Sequence, residues 1–360
     1  MLRVDVRTGS QSYPIYIEHG VTAQLGRLIE SSPNPASHRF FVSSPLVWKL
    51  HGKTLSKALP KTDTILLPDG EKFKQLSTAA RAYESLIKLE ADRGALIIAV
   101  GGGVIGDMAG FVAATYLRGI ALVQVPTTLL AQVDSAIGGK VGVNHALGKN
   151  LIGAFHQPSL VAIDPALLET LPRREFRAGL YEVIKYGMTS SRALFERIDR
   201  EIDAIFARKA DALVPIIGES CTIKANVVGL DERESGPRRM LNFGHTAGHA
   251  LEAVTKYKRF RHGEAIAYGM IVAAEIAVAR GVLPGSDREA LGKIIMKLGP
   301  LPPVGDLSTK DVLEAMRHDK KVVNGTLHYV LCTGIGSWTT ATDVAEDELA
   351  KALKRVGLKK

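Results

Sequence analysis

The chain has 360 residues, 46% hydrophobic and 23% charged. This is ordinary globular composition with length for two domains and a sizeable core. The formal charge is +9 and the pI is near 9.4, but the basic residues are scattered. No lysine/arginine tract is long enough for a nucleic-acid arm, so a small anionic ligand is the better partner than nucleic acid or a membrane surface. The two cysteines, Cys221 and Cys332, fit a reduced, cytoplasmic protein. The N-terminus MLRVDVRTGS lacks the apolar core of a signal peptide. The segment Ala95–Gly106 is apolar but short, glycine-rich and stopped by Asp107, so it reads as a buried strand and turn.

Short apolar runs at Phe40–Val42, Thr64–Leu67, Ala95–Val100, Ile120–Val125 and Leu160–Ile163 predict strands, with helical patterns between them. In the helix predicted from Leu76 to Leu89, Leu76, Ala80, Tyr83 and Ile87 fall on one apolar face. Strands alternating with helices imply βαβ units and a mostly parallel sheet. The segment from Asp134 to Pro158 is rich in Gly, Asn and Lys and reads as a long functional loop. After about Leu171-Pro172 the pattern turns helical: Glu175–Met188, Ala193–Ala207, Leu213–Val228, Thr246–Thr255 and Gly263–Ala279. Strand-like residues return near Leu327–Leu331. The expected organisation is an α/β domain over 1–172, then a mainly helical domain over 173–360.

The strand at Ala95–Val100 runs into Gly101-Gly102-Gly103-Val104-Ile105-Gly106-Asp107, which formally matches a dinucleotide fingerprint. Glycines let the backbone approach a pyrophosphate, and the next helix offers its first N–H groups. A tight turn packing a helix on a sheet would use the same residues. The turn also comes late in the domain, and no Asp or Glu ends the next strand, which runs into Pro126-Thr127-Thr128. Asp69-Gly70-Glu71, with Lys74 nearby, is a candidate for the missing ribose carboxylate or else a plain turn.

His245 and His249 are four apart and share a helix face; His262 follows inside Arg261-His262-Gly263-Glu264. Glu182 and Lys185 lie three apart on the helix Glu175–Met188. A single histidine is more often structural than a ligand. Three of the chain's ten histidines within 18 positions, each beside or near glycine, point to a metal. Two or three His with one carboxylate suit zinc and leave an open position for substrate. Spacing favours His245 and His249 as the ligand pair and cannot say which histidine does acid–base work.

Seven segments in order, PDGEKFK, GGGVIGDMAGFVAATYLRG, VPTTLLAQVDSAIGGKVGVNHALGKNLIGAFHQP, GLYEVIKYG, DERESGPRRMLNFGHTAGHALE, HGEAIAYGM and DKK, resemble the 3-dehydroquinate synthase family from about Leu66 to Val322. The resemblance implies a Rossmann-like NAD-binding domain, then a mainly α-helical metal-binding domain, with the active site between them. It implies Glu182, His245 and His262 as ligands of one divalent metal, zinc or cobalt. For NAD it implies Asp69, Gly70, Glu71, Lys72, Phe73, Lys74, Gly103, Val104, Ile105, Gly106, Asp107, Thr127, Thr128, Lys140, Lys149, Leu167, Leu168, Glu169 and Thr170. Glu234 and His249 would be acid–base residues, with Lys185 and Asp134 in the catalytic set. Lys140, Asn150, Lys224, Arg238, Asn242 and Lys320 or Lys321 would bind substrate, and Arg118 would reach the active site of a partner subunit, implying a homodimer. One departure is Ser43-Ser44-Pro45, where the family often carries an Asp or Asn for the adenosine ribose.

The implied substrate is 3-deoxy-D-arabino-heptulosonate 7-phosphate, whose carboxylate and phosphate fit the Lys and Arg cluster. The implied chemistry is transient oxidation by NAD, β-elimination of phosphate, re-reduction, ring opening and aldol closure to 3-dehydroquinate, a step toward chorismate in the shikimate pathway. The substrate's own phosphate is a candidate base. The alternatives are another sugar phosphate cyclase, a metal-dependent polyol dehydrogenase showing net NADH formation, and a basic binding protein with no bound metal.

Overall fold

The computed structural model describes residues 1–31, 36–234, 236–317, 322–323 and 326–359. The chain forms two compact units, Met1–Pro172 with Ala207–Arg233, and Arg173–Phe206 with Glu234–Lys360.

The first unit runs β1 (Leu2–Arg7), β2 (Ser12–Ile17), α1 (Leu25–Glu30), β3 (Arg39–Ser43), α2 (Pro45–Ala58), β4 (Asp63–Leu66), α3 (Leu76–Lys88), β5 (Leu96–Gly101), α4 (Gly103–Thr115), β6 (Ala121–Pro126), β7 (Lys140–His145), β8 (Gly148–Phe155) and β9 (Leu160–Ile163). The chain then passes through α5 (Arg173–Ser190) and α6 (Arg192–Phe206) of the second unit before α7 (Ala210–Leu230) rejoins the first. The sequence reading gave every residue after 172 to the second domain. Here α7 lies along β1: a Cβ at Gly218 would come 2.3 Å from Leu2 Cδ2, and one at Gly229 would come 2.7 Å from the Arg7 carbonyl. Such a long-range fit leaves no local pattern in the sequence.

Seven strands form one sheet in the order β1-β2-β9-β6-β5-β3-β4, parallel except for the β1–β2 pair. The five predicted strands are β3, β4, β5, β6 and β9; β2, which runs parallel to β9, and its antiparallel partner β1 were not foreseen. Chain order reverses direction between β3 and β5, so a topological switch point falls at their carboxyl ends, beside Ser43-Ser44 and Gly101–Gly103. Every residue of β5 is buried because both faces are covered. Ile97 and Ala99 pack with α3, α4 and β7 on one face, and Leu96, Ile98 and Val100 with α1 and α2 on the other.

Two expectations need correction. Helix α3 forms as predicted, but it buries Ala79, Ala82 and Leu86, while Leu76 and Ile87 are 48% and 64% exposed. The small alanines face the sheet because they allow close approach, which apolar spacing alone does not show. The presumed loop after Asp134 is a π-helical turn at Ala131–Ser135 followed by the antiparallel hairpin β7–β8. Val141 and Val143 point into the core with period two. Gly142 and Gly153 disguise the strands: a Cβ at either would come within 2.6 Å of a backbone carbonyl of the facing strand.

The second unit adds α8 (His245–Val254), α9 (His262–Ala279), α10 (Gly285–Leu298), α11 (Thr309–Arg317), β10 (Val322–Val323), β11 (Thr326–Leu327), β12 (Tyr329–Gly334), β13 (Ser337–Ala341) and α12 (Glu346–Arg355). Helices α7 and α9 are long and apolar enough to cross a membrane, but 56% and 72% of their apolar windows are buried in the fold, as in core helices. Glycines bring α5, α8 and α9 into backbone contact. A Cβ at Gly263 would come 1.9 Å from the Ala178 carbonyl, and one at Gly269 would come 1.8 Å from the Gly244 carbonyl.

Candidate active site

Those close approaches gather the predicted metal residues. Glu182 sits one turn beyond Ala178 on α5, His262 opens α9 beside Gly263, and Gly248 lies between His245 and His249 on α8. Ligand atoms of His245, His249 and His262 all lie within 4.8 Å of one another. Glu182 is fully buried. Its Oε1 lies 3.8 Å from His245 Nε2 and 3.6 Å from His262 Nε2. Its Oε2 meets the ammonium of Lys185, itself 1% exposed, as an ion pair. Among the described residues, neither carboxylate oxygen accepts a hydrogen bond of sound geometry.

The other ring nitrogens decide how these groups face one another. His245 Nδ1 is 3.1 Å from the Phe243 carbonyl, and His262 Nδ1 is 3.3 Å from Glu252 Oε2. A carbonyl or carboxylate accepts, so each Nδ1 carries a proton, and when the ring is neutral each Nε2 presents a lone pair. Lone pairs then face the Glu182 oxygen, an arrangement that favours a cation among them. The 3.6 and 3.8 Å separations approach the roughly 3.4 Å edge of a tetrahedron of N/O ligands about 2.0–2.1 Å from zinc. The donor set fits a divalent metal.

Around this cluster, Asn242 Nδ2 donates to Glu234 Oε1 at 3.0 Å, and Glu234 holds a positive φ of 61°. Arg238 is 2% exposed in the short turn Pro237–Asn242. Sequence reasoning missed Glu252, although it ends the NFGHTAGHALE motif. Its position seven residues after His245 places it on the same helix face and was a usable signal. Lys320 and Lys321 lie outside the described residues.

The remaining predicted residues belong to the first unit. Lys74, 4% exposed, donates to Asp107 Oδ2 at 2.5 Å and to Asn150 Oδ1 at 2.6 Å. Burial pushes the Asp107 carboxyl up, and Lys74 and Lys224 work against that shift. Glu71 accepts from Asn144 at 2.8 Å, with Lys149 at 3.7 Å, so the Asp69–Lys74 turn is tied to the β7–β8 hairpin. Lys224 Nζ reaches the Asp134 carbonyl at 2.6 Å and its carboxylate more closely still. Lys72 lies over the Phe73 ring.

Gly101–Asp107 forms the turn into α4, with Val104 and Ile105 in its first turn, and the N-cap, Gly102, has no side chain to cap the helix. The glycines serve close packing: a Cβ at Gly102 would come 3.0 Å from Thr128 Cγ2, one at Gly103 3.0 Å from Ser135 Oγ, and one at Gly106 3.0 Å from Gln124 Oε1. Thr127 N donates to the Gly101 carbonyl at 2.9 Å, so Thr127 and Thr128 stand beside the turn. Leu167 and Leu168 are buried, with Leu167 in the core on the α1–α2 face; Glu169 and Thr170 complete that turn, where His51 Nε2 and Thr170 Oγ1 are 3.0 Å apart. Ser43 and Ser44 are buried; Ser43 Oγ donates to Val100 O and Ser44 Oγ caps α2. Lys140 is exposed at the start of β7, and Arg118 is exposed with φ 70°. Both cysteines are free and buried.

The fold and its polar clusters define a two-unit α/β enzyme that pairs a doubly wound sheet with a helical histidine–carboxylate centre. Family models described as 3-dehydroquinate synthase N-terminal and C-terminal match residues 64–178 and 179–322. A 3-dehydroquinate synthase from Pelotomaculum thermopropionicum is 46% identical over 98% of this chain and 96% of that protein. Among solved structures, ValA, a 2-epi-5-epi-valiolone synthase from Streptomyces hygroscopicus subsp. jinggangensis with NAD+ and Zn2+ bound, superposes with a TM-score of 0.88 at 26% identity, covering 96% of this chain and 97% of its own. A 2-deoxy-scyllo-inosose synthase complexed with carbaglucose-6-phosphate, NAD+ and Co2+ gives a TM-score of 0.87 at 26% identity, covering 98% and 100%. The chain belongs to the 3-dehydroquinate synthase family.

Proposed function

We propose that this chain binds NAD and one divalent metal ion, zinc or cobalt, and converts 3-deoxy-D-arabino-heptulosonate 7-phosphate to 3-dehydroquinate and phosphate in the cytoplasm. The observation that carries the reading is the buried Glu182 carboxylate facing the Nε2 atoms of His245 and His262 at 3.8 and 3.6 Å. Glu182, His245 and His262 would hold the metal, and His249, in the same cluster, is left for proton transfer. NAD would lie against the first unit at the switch point, its pyrophosphate toward the uncapped start of α4. Asp69–Lys74, Asp107, Thr127, Thr128, Lys140, Lys149 and Leu167–Thr170 would surround it. When bound, NAD supplies a hydride acceptor that later gives the hydride back, and the metal supplies a Lewis acid for the substrate hydroxyls.

The chain's own residues bind, orient and move protons. Arg238 offers a planar fork to an oxyanion, whereas Lys140, Lys185 and Lys224 act as point charges toward carboxylate and phosphate. Lys185 also offsets the charge of buried Glu182. Asp134 holds the Lys224 ammonium in place, and Asn150 and Asn242 add hydrogen bonds to hydroxyls. Glu234, held by Asn242 at 3.0 Å, and His249 exchange protons with substrate oxygen and carbon. Exposed Arg118 would complete the site of a second copy, making a homodimer. A substrate panel tests the assignment. Phosphate release from the carboxylated seven-carbon substrate, and none from glucose 6-phosphate or sedoheptulose 7-phosphate, is expected. The reverse preference would contradict the assignment.

A further inference from the structure

His262 opens α9, and its Nδ1 lies 3.3 Å from Glu252 Oε2 on α8. Glu252 is 6% exposed. A carboxylate this buried is costly unless it does something specific with its charge. Accepting from Nδ1 fixes the ring's tautomer and rotation, turning the Nε2 lone pair toward Glu182 Oε1 at 3.6 Å. His245 turns its Nδ1 to the neutral Phe243 carbonyl at 3.1 Å. The two imidazoles are therefore unequal: the one backed by a carboxylate is the stronger donor to a cation.

We propose that Glu252 is a positioning residue for the metal centre, holding His262 in its donor tautomer and strengthening that ligand. The inference rests on the metal reading above and names a residue outside that set. The test is zinc affinity, measured by competition with a chromophoric chelator, for the parent protein, Glu252→Gln and Glu252→Ala. Melting of each metal-free protein is followed alongside. Glu252→Ala is expected to weaken zinc binding about 10- to 100-fold. Glu252→Gln, which keeps an oxygen acceptor without the charge, is expected to fall between parent and Glu252→Ala. The visible spectrum of bound cobalt should shift in Glu252→Ala and stay near the parent's in Glu252→Gln.

Parental zinc affinity in both variants overturns the proposal. So does a loss of affinity matched by equal destabilisation of both metal-free variants, which marks a packing role. If Glu252→Ala does not fold, Glu252→Gln decides: weaker zinc binding at unchanged metal-free melting supports the proposal, and unchanged affinity overturns it. A parent protein that binds no zinc refutes the metal centre itself, which is a separate failure.

Discussion

Two buried polar clusters, one in each unit, hold charge in opposite ways. In the first, Lys74 meets Asp107 and Asn150, and Lys224 meets Asp134, so each buried ammonium has acceptors within its own unit. In the second, one oxygen of Glu182 meets Lys185 while the other faces imidazole nitrogens that present lone pairs. Paired charges hold their geometry from chain contacts alone, whereas a carboxylate among lone pairs gains most from a cation. The first unit should therefore be indifferent to metal, and the second should respond to it.

The largest expected effect breaks the second unit's side of that contrast. His245→Ala should reduce bound metal after dialysis to background, measured by elemental analysis, and abolish phosphate release. Stoichiometric metal in that variant would remove His245 from the ligand set. Lys74→Met attacks the first unit instead. Leaving Asp107 without its ammonium should cost about 3–5 kcal/mol in urea unfolding, with or without metal. Adding Asp107→Asn should recover most of the loss, and a metal-dependent loss would blur the distinction between the units.

Gly263→Ala places a methyl where 1.9 Å separates its Cβ from the Ala178 carbonyl. It should cost about 1–3 kcal/mol and weaken metal binding too, because α5 and α9 must part. The smallest effect is a pH response in the second unit. Arg280 holds the Glu348 carboxyl down to about 2 from its ordinary value near 4.5. A depressed carboxylate stabilises the fold above about pH 4.5 and loses that contribution as pH falls toward 2. The pair is solvent-accessible, so Glu348→Gln should flatten acid unfolding by about 1 kcal/mol or less.

Five of the six parallel strands were legible because each is a short apolar run ended by a turn residue, and the long helices because their apolar period persists. The β7–β8 hairpin was not, since Gly142 and Gly153 interrupt the alternation for the sake of the facing strand. The packing of α7 on β1 depends on residues some two hundred positions apart, and no local pattern reports it. At the site, histidine spacing drew attention to the right segment but favoured the pair on one helix. Glu182 comes from another helix, and only three dimensions bring it to 3.6 Å from His262. Glu252 was in view in the motif yet went unassigned, because a carboxylate's partner depends on the next helix.

In the proposed reaction, redox chemistry is transient and serves phosphate elimination. The direct measurement records phosphate release and NADH fluorescence together, with 3-deoxy-D-arabino-heptulosonate 7-phosphate in large excess over NAD+. Many phosphates released per NAD+, no accumulating NADH, and arrest on adding chelator are the predicted result. Steady NADH formation without phosphate release would contradict the account.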